Sequence, residues 1–229
     1  MKILAIETID ISASAALLEN NVVLATSVLE PNQRSAQFLA PMVRDLLATQ
    51  NWKPTDVDLV VVAQGPGSFT GLRVGIAFAK VFSYAAETEI IALNTLDILA
   101  DMTPSEFSRV SIALDAQRGQ VAARTYERDA DGNWKPCDEM TILDFEDWAE
   151  NVENTENTVL SGPVLVQKAS RLPQNVRTTP SECWTPSVAQ MGQTAYRLYA
   201  AGRRDDVWNL LPIYARPAAA EEKRMQQKK

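Results

Sequence analysis

At 229 residues, with hydrophobic residues at 46 % and charged ones at 22 %, the chain has the composition of one large folded domain or two small ones, and a disordered protein is excluded. Lys and Arg total 22 against 29 Asp and Glu; the net charge of −7 repels a polyphosphate at long range, so RNA would have to be held by a basic partner. Histidine is absent, which removes Ser-His-Asp and Cys-His catalysis, H-E-x-x-H zinc sites and imidazole general bases together.

No apolar run approaches the roughly 18 residues that span a bilayer. The opening Ile3-Leu4-Ala5-Ile6 meets Glu7 too soon for a signal peptide, so a cytoplasmic protein without membrane partners is expected. From residue 2 to 25, three apolar stretches (Ile3 to Ile6, Ser12 to Leu18, Val22 to Ser27) read as an antiparallel meander with Asn-rich turns. Ser35 is positioned to cap a helix running to about Thr49, with Leu39, Val43, Leu46 and Leu47 as its core stripe and Phe38 and Met42 beside it. Asp58 to Ala63 is a continuous β-branched run, as in a strand buried on both faces. It leads directly into Gly65-Pro66-Gly67-Ser68-Phe69-Thr70-Gly71.

The helix expected from about Thr70 to Ala86 carries only a narrow polar strip of Arg73, Lys80, Ser83 and Tyr84. Val74, Phe78, Val81 and Ala85 form a bulky face, and Gly75, Ala79 and Ala86 a face of small residues, so burial on more than one side is required. A strand at Ile90 to Leu93 and a helix at about Thr95 to Asp101 follow. Thr103-Pro104-Ser105 marks a domain boundary, because the pattern restarts beyond it. Val110 to Leu114, Val121 to Tyr126 and Trp134 to Met140 give a second meander, followed by a helix near Phe145 to Glu150, a strand at Thr158 to Leu160 and a helix near Leu165 to Arg171. A long helix over about residues 187–201 carries Val188, Met191, Ala195, Leu198 and Tyr199 as an apolar stripe, and Leu210 to Arg216 is extended. These readings divide the chain into residues 1–103, residues 104–216 and a polar tail at 217–229, with the long helix expected to pack back on the first half.

The Gly65 to Gly71 loop sits where backbone N–H groups at a helix start can cradle phosphate. Its spacing fits neither G-x-x-x-x-G-K-[ST] nor G-x-G-x-x-G, which favours a tight structural turn or a partner-contact loop. Glu7 and Asp115 end equivalent strands of the two halves; such carboxylates can hold Mg²⁺ through water, while turn capping is the ordinary reading. Trp134, Trp148, Trp184 and Trp208 lack interleaved basic residues and read as core or edge packing. Cys137 and Cys183 lack C-x-x-C spacing and are expected to be reduced and structural.

The string Gly65-Pro66-Gly67-Ser68-Phe69-Thr70-Gly71-Leu72-Arg73, after a strand and before an apolar helix, resembles the signature loop of the TsaB (YeaZ) family. Ile3 to Thr8, Ser35 to Met42, Leu114 to Val121 and Leu211 to Arg216 follow in that family's order, so the resemblance covers nearly the whole chain and is weakest over about residues 129–185. Glu7 stands where the family usually has Asp, and Arg34-Ser35 where many members have His-Ser or His-Thr. The resemblance implies an α/β, duplicated actin-like (ASKHA) fold of two ribonuclease-H-like halves. It also implies a role in making threonylcarbamoyladenosine in transfer RNA. In that role the chain is a non-catalytic scaffold with no catalytic residue, metal or cofactor of its own. Its expected partner is a TsaD-like subunit that holds the metal, nucleotide and transferase chemistry; a TsaE-like ATPase joins them, and tRNA is met only through the complex. The family's paired metal-binding histidines belong to TsaD, and this chain has none, so a peptidase label would be inherited from the relative.

The family's pairing surface maps onto the helices at about Ser35 to Thr49 and Thr70 to Ala86. The expected partner-binding residues are Phe38, Met42, Val74, Phe78 and Phe82, with Arg73 at the rim. A homodimer of the isolated chain would use the same surface. The alternative function is an ATP-dependent small-molecule kinase or ATPase of the actin-like fold, with Asp115 or Glu7 organising Mg²⁺.

Overall fold

The computed structural model describes residues 1–10, 12–31, 33–153 and 157–216; the tail at 217–229 lies outside them. Strands β1 (Lys2–Glu7), β2 (Ser14–Glu19) and β3 (Val22–Val28) form the first meander, and helix α1 (Ser35–Thr49) follows. Then come β4 (Leu59–Gly65), α2 (Phe69–Ala86), β5 (Glu89–Asn94) and α3 (Thr95–Asp101). The sheet order is β3-β2-β1-β4-β5, with β4 parallel to β1 and β5 parallel to β4.

Period-two alternation sorts the strand residues onto two faces. Leu4, Ile6, Leu17, Val60 and Val62 pack under α1 and α2, while Ile3, Ala5, Leu18 and Val61 face the opposite layer. That layer is the last helix, α6 (Val188–Ala200), whose Val188, Met191 and Ala195 are buried against the sheet. Covered on both faces, β4 can be a run of valines, as the sequence indicates.

The second sheet holds β6 (Arg109–Asp115), β7 (Gln120–Arg128), β8 (Trp134–Pro136), β9 (Thr141–Asp144) and β10 (Thr158–Ser161). Its order is β10-β6-β7-β8, with β9 also on β7; β6 and β7 are antiparallel and β10 is parallel to β6. Each half thus begins with an antiparallel meander and extends in parallel beyond its first strand, by two strands in the first sheet and one in the second, and the fold is the duplicated actin-like α/β architecture expected. One face of this sheet meets Leu96, Leu99 and Ala100 of α3, and the other meets Phe145 and Trp148 of α4 (Phe145–Glu153) and Leu165 of α5 (Leu165–Lys168). Helix α3 also gives Ile98 to the first half's core, so it is shared between the two sheets.

Some elements depart from expectation. Ser35 does not cap α1: Arg34 holds the cap position in extended conformation and, having no acceptor, makes no side-chain cap bond. The single strand expected at Trp134 to Met140 ends at Pro136, and a separate strand, Thr141–Asp144, pairs with the start of β7 instead. The expected helix near Leu165 to Arg171 is one α turn followed by a 3-10 turn at Ala169–Arg171. Leu210 to Arg216, expected to be extended, forms no strand, and the chain bends at Ala215 and Arg216.

Candidate partner-binding surface

Helix α2 begins where Ser68 accepts the Gly71 N–H through its side chain at 3.2 Å, and it ends at Glu87 in left-handed conformation. Its inner face is made of small residues because the chain itself approaches there. A Cβ on Gly71 would lie within 3.0 Å of the Thr8 carbonyl, and one on Gly75 within 3.0 Å of the Thr8 hydroxyl. That hydroxyl donates to the Gly71 carbonyl at 2.7 Å in a buried bond. Gly67 backs onto the Ile9 side chain, and Gly65, at φ +109°, onto the Ile213 carbonyl. The loop's glycines therefore admit other parts of the same chain. The Gly65–Pro66 peptide is cis.

On the neighbouring face, Val74, Phe78 and Phe82 are half-buried against the α1 core, with the Phe78 and Phe82 rings stacked at 6.0 Å. Met42 is buried among them, and Phe38 is 39 % exposed on α1. Further round, Val81 and Tyr84 are 69 % and 70 % exposed. The bulky face anticipated for this helix is thus only half covered. Ser83, expected in the polar strip, is instead buried and donates to the Thr88 carbonyl.

The segment after α6 returns along one flank of α2, which the sequence did not signal. Trp208 meets Tyr84 edge-on at 5.8 Å, and Lys80 Nζ donates to the carbonyls of Trp208 and Leu210 at 3.2 Å each. Ile213 N–H donates to the Gln64 carbonyl, and Gln64 Nε2 to the Leu211 carbonyl. Tyr214 stacks on Phe69 at 4.8 Å; Arg73 lies 3.8 Å over the Phe69 ring and donates to the Tyr214 hydroxyl at 3.0 Å. Arg73, expected at a partner's rim, is exposed but already engaged within the chain. Leu211-Pro212-Ile213-Tyr214 was visible as a motif, yet nothing in it points to α2.

The two strand-end carboxylates serve different ends. Glu7 is 1 % exposed and accepts the N–H groups of Ile9 and Asp10 at 2.5 and 3.0 Å, capping the turn after β1. Burial pushes its carboxyl up to about 7 against the pull of those two N–H bonds, and the Asp10 charge adds to the rise. Asp115 is exposed and lies 3.9 Å from Lys168. Among the described residues, no cluster of three or more His, Cys, Asp or Glu is placed to hold a metal ion, and no helix is long and apolar enough to cross a membrane. Trp148 is buried and Trp134 lies under Arg128, whereas Trp208 is 70 % exposed. Cys137 and Cys183 are free thiols, the first exposed and the second buried.

Residues 23–140 match the family model described as TsaD: tRNA N6-adenosine threonylcarbamoyltransferase. The chain is 31 % identical to the tRNA threonylcarbamoyladenosine biosynthesis protein TsaB of Escherichia coli (strain K12), over 97 % of this chain and 98 % of that one. It is 28 % identical to the protein of the same name from Bacillus subtilis (strain 168), over the whole of both chains. Among solved structures, YeaZ from Pseudomonas aeruginosa superposes with a TM-score of 0.76 at 26 % identity, covering 93 % of this chain and 99 % of that one.

Proposed function

The chain belongs to the TsaB family of tRNA threonylcarbamoyladenosine biosynthesis proteins, within the wider TsaD-like family, and we propose that it is that pathway's non-catalytic scaffold subunit. It pairs with a TsaD-like subunit through α1 and α2, a TsaE-like ATPase joins the pair, and tRNA is reached only through the assembly. Phe38, Val74, Phe78 and Phe82 form the centre of the pairing surface, Met42 supports them from beneath, and Arg73 is its polar rim, held in place by Tyr214.

The observation that carries this reading is the half-covered apolar side of α2. Between Arg73 and Glu87 the helix has one charged residue, Lys80, and that charge is spent on backbone carbonyls of the same chain. A helix with so little polar surface on its outer side suits a docking face more than a solvated one. Its role toward catalysis is to favour the partner's active conformation, which is a population shift and not chemistry. The kinase reading draws less support: Glu7 is turned inward to cap a turn, and the glycines of the loop are filled by Thr8 and Ile9. A peptidase is disfavoured in the same way by a chain without histidine.

The test is to mix the purified chain with its cognate TsaD-like subunit, follow complex formation by light scattering, and assay threonylcarbamoyl transfer to tRNA with the TsaE-like protein present. Complex formation with transfer that depends on this chain is the expected result. No complex, together with ATP hydrolysis by the isolated chain, would replace the scaffold with the kinase-like reading.

A further inference from the structure

At the C-terminal end of α2 lies an open groove of about 290 Å³ whose lining includes Ser83, Thr88, Glu89, Arg204, Asp206 and Trp208. We infer that this groove receives a cationic side chain, an arginine by preference, from the partner that docks on α2. The inference rests on the scaffold reading for the partner's identity and on the groove's own chemistry for the cation.

Three features converge there. Trp208, 70 % exposed, lines the groove and offers a π face that attracts a cation through the ring quadrupole, with Tyr84 edge-on to it at 5.8 Å. The negative end of an 18-residue helix macrodipole points the same way. The carboxylates supply the charge. Asp205 is held by Arg203 and the Ala92 N–H. Glu89 pairs with Arg204 at 3.0 Å, an exposed pair that an incoming cation can exchange at little cost. Asp206 is bound only by neutral donors, the Trp208 N–H at 2.8 Å and the Asn209 amide at 2.6 Å, so no cation of the described chain stands against it. Glu87, exposed at the helix end, adds to the imbalance: four acids (Glu87, Glu89, Asp205, Asp206) against Arg203, Arg204 and Lys80, the last held on the Trp208 and Leu210 carbonyls. Thr88 lines the same groove, is 8 % exposed, and has a hydroxyl that finds no partner among the described residues. Arginine fits better than lysine because its planar guanidinium stacks on an indole while donating to a carboxylate through the same fork.

The test has two arms. In the first, the indole N–H of Trp208, assigned with W208F, is followed by NMR while hexa-arginine or hexa-glutamate peptide is titrated in. Hexa-arginine should move that signal saturably and hexa-glutamate should not. D206N should weaken the arginine titration by about fivefold. E139Q, which changes net charge equally at an exposed site in the second half, should leave it unchanged. An unmoved Trp208 signal, or equal weakening by D206N and E139Q, overturns the inference. In the second arm, binding to the cognate TsaD-like subunit should fall about fivefold with D206N and with W208A, and at least a hundredfold with V81D, at a residue 69 % exposed on α2. Loss with V81D alone overturns the groove and leaves the scaffold standing. Absence of any complex removes the scaffold, and the peptide titration then decides the groove by itself.

Discussion

The close fit between α2 and the turn after β1 makes a sharp prediction about two glycines. Ordinarily a helical Gly→Ala substitution stabilises by up to about 1 kcal/mol, because alanine loses less backbone entropy. At Gly71 the new Cβ would fall within 3.0 Å of the Thr8 carbonyl oxygen, 2.9 Å from its carbon and 3.2 Å from the Ile9 Cα, all backbone atoms that cannot turn aside. The turn must move off the helix, with an overpacking cost of about 1–3 kcal/mol. The buried Thr8 hydroxyl also loses its 2.7 Å bond to the Gly71 carbonyl, at about 1–3 kcal/mol. After the helix gain is subtracted, Gly71→Ala should destabilise by about 3 kcal/mol. At Gly75 the obstruction is the Thr8 hydroxyl alone, the Thr8 Cβ standing off at 3.4 Å. Rotation of one χ1 relieves it, so Gly75→Ala should cost about 1 kcal/mol. The contrast becomes decisive in a Thr8→Ala background. There Gly75→Ala should turn neutral or stabilising, while Gly71→Ala should stay costly because its obstruction is main chain. Urea unfolding gives each value as a shift in midpoint at constant m. In the Thr8→Ala background Gly71→Ala still costs about 1 kcal/mol, the overpacking less the helix gain. A harmless Gly71→Ala in the wild type, or one that turns neutral or stabilising in the Thr8→Ala chain, would refute the fit of β1, its turn and α2.

Other consequences are smaller but separate. Because the folded state holds the Glu7 proton more tightly than the unfolded chain, this group's stabilisation is fully present below about 4.5 and is lost as the pH rises through about 7. At roughly 1.4 kcal/mol per pH unit, the E7Q chain should gain about 3 kcal/mol on the wild type between pH 4.5 and 8, read from paired denaturation curves; a difference that does not vary with pH rejects the assignment. Trp148 is buried and donates to the Ser111 hydroxyl at 2.9 Å, so Trp148→Phe opens a void and removes a donor. The expected cost is about 2 kcal/mol, seen by calorimetry as a Tm lower by about 4–8 °C.

What could be read from the sequence was whatever is written in local periodicity. The Val60-Val61-Val62 run announces a strand covered on both faces, and the stripe Val188, Met191, Ala195 announces a helix that must find a sheet. The small face of α2 was equally legible, since Gly75 and Ala79 repeat at helical spacing and both are buried. What escaped was decided by distant partners. Ser83 reads as solvent-facing, yet the Thr88 carbonyl satisfies its hydroxyl and allows it to be buried. Thr141–Asp144 is four residues long, with exposed and half-buried positions only, and its strand character comes from pairing with Gln120 to Ala123. The placement of Trp208 to Tyr214 along α2 rests on Lys80, Tyr84 and Arg73, more than 120 residues earlier in the chain. No window of sequence contains both sides of that contact.

The half-covered helix also dictates how the scaffold reading should be probed. Phe78 is the obvious target, but it is half-buried against the core beneath α1, so a charge there damages the fold as well as any docking face. Val81 lies on the same helix at 69 % exposure and belongs to none of the core clusters. Val81→Asp should therefore leave the urea midpoint within about 0.5 kcal/mol of the wild type. In a complex it would place a desolvated carboxylate in the middle of an apolar contact, and association with the TsaD-like subunit should weaken at least a hundredfold, equivalent to about 3 kcal/mol. A stable V81D chain that no longer associates assigns the loss to the surface and not to the fold. A stable V81D chain that associates as before would move the contact off the outer side of α2 and onto α1 around Phe38, because the inner side of α2 is already filled by Thr8.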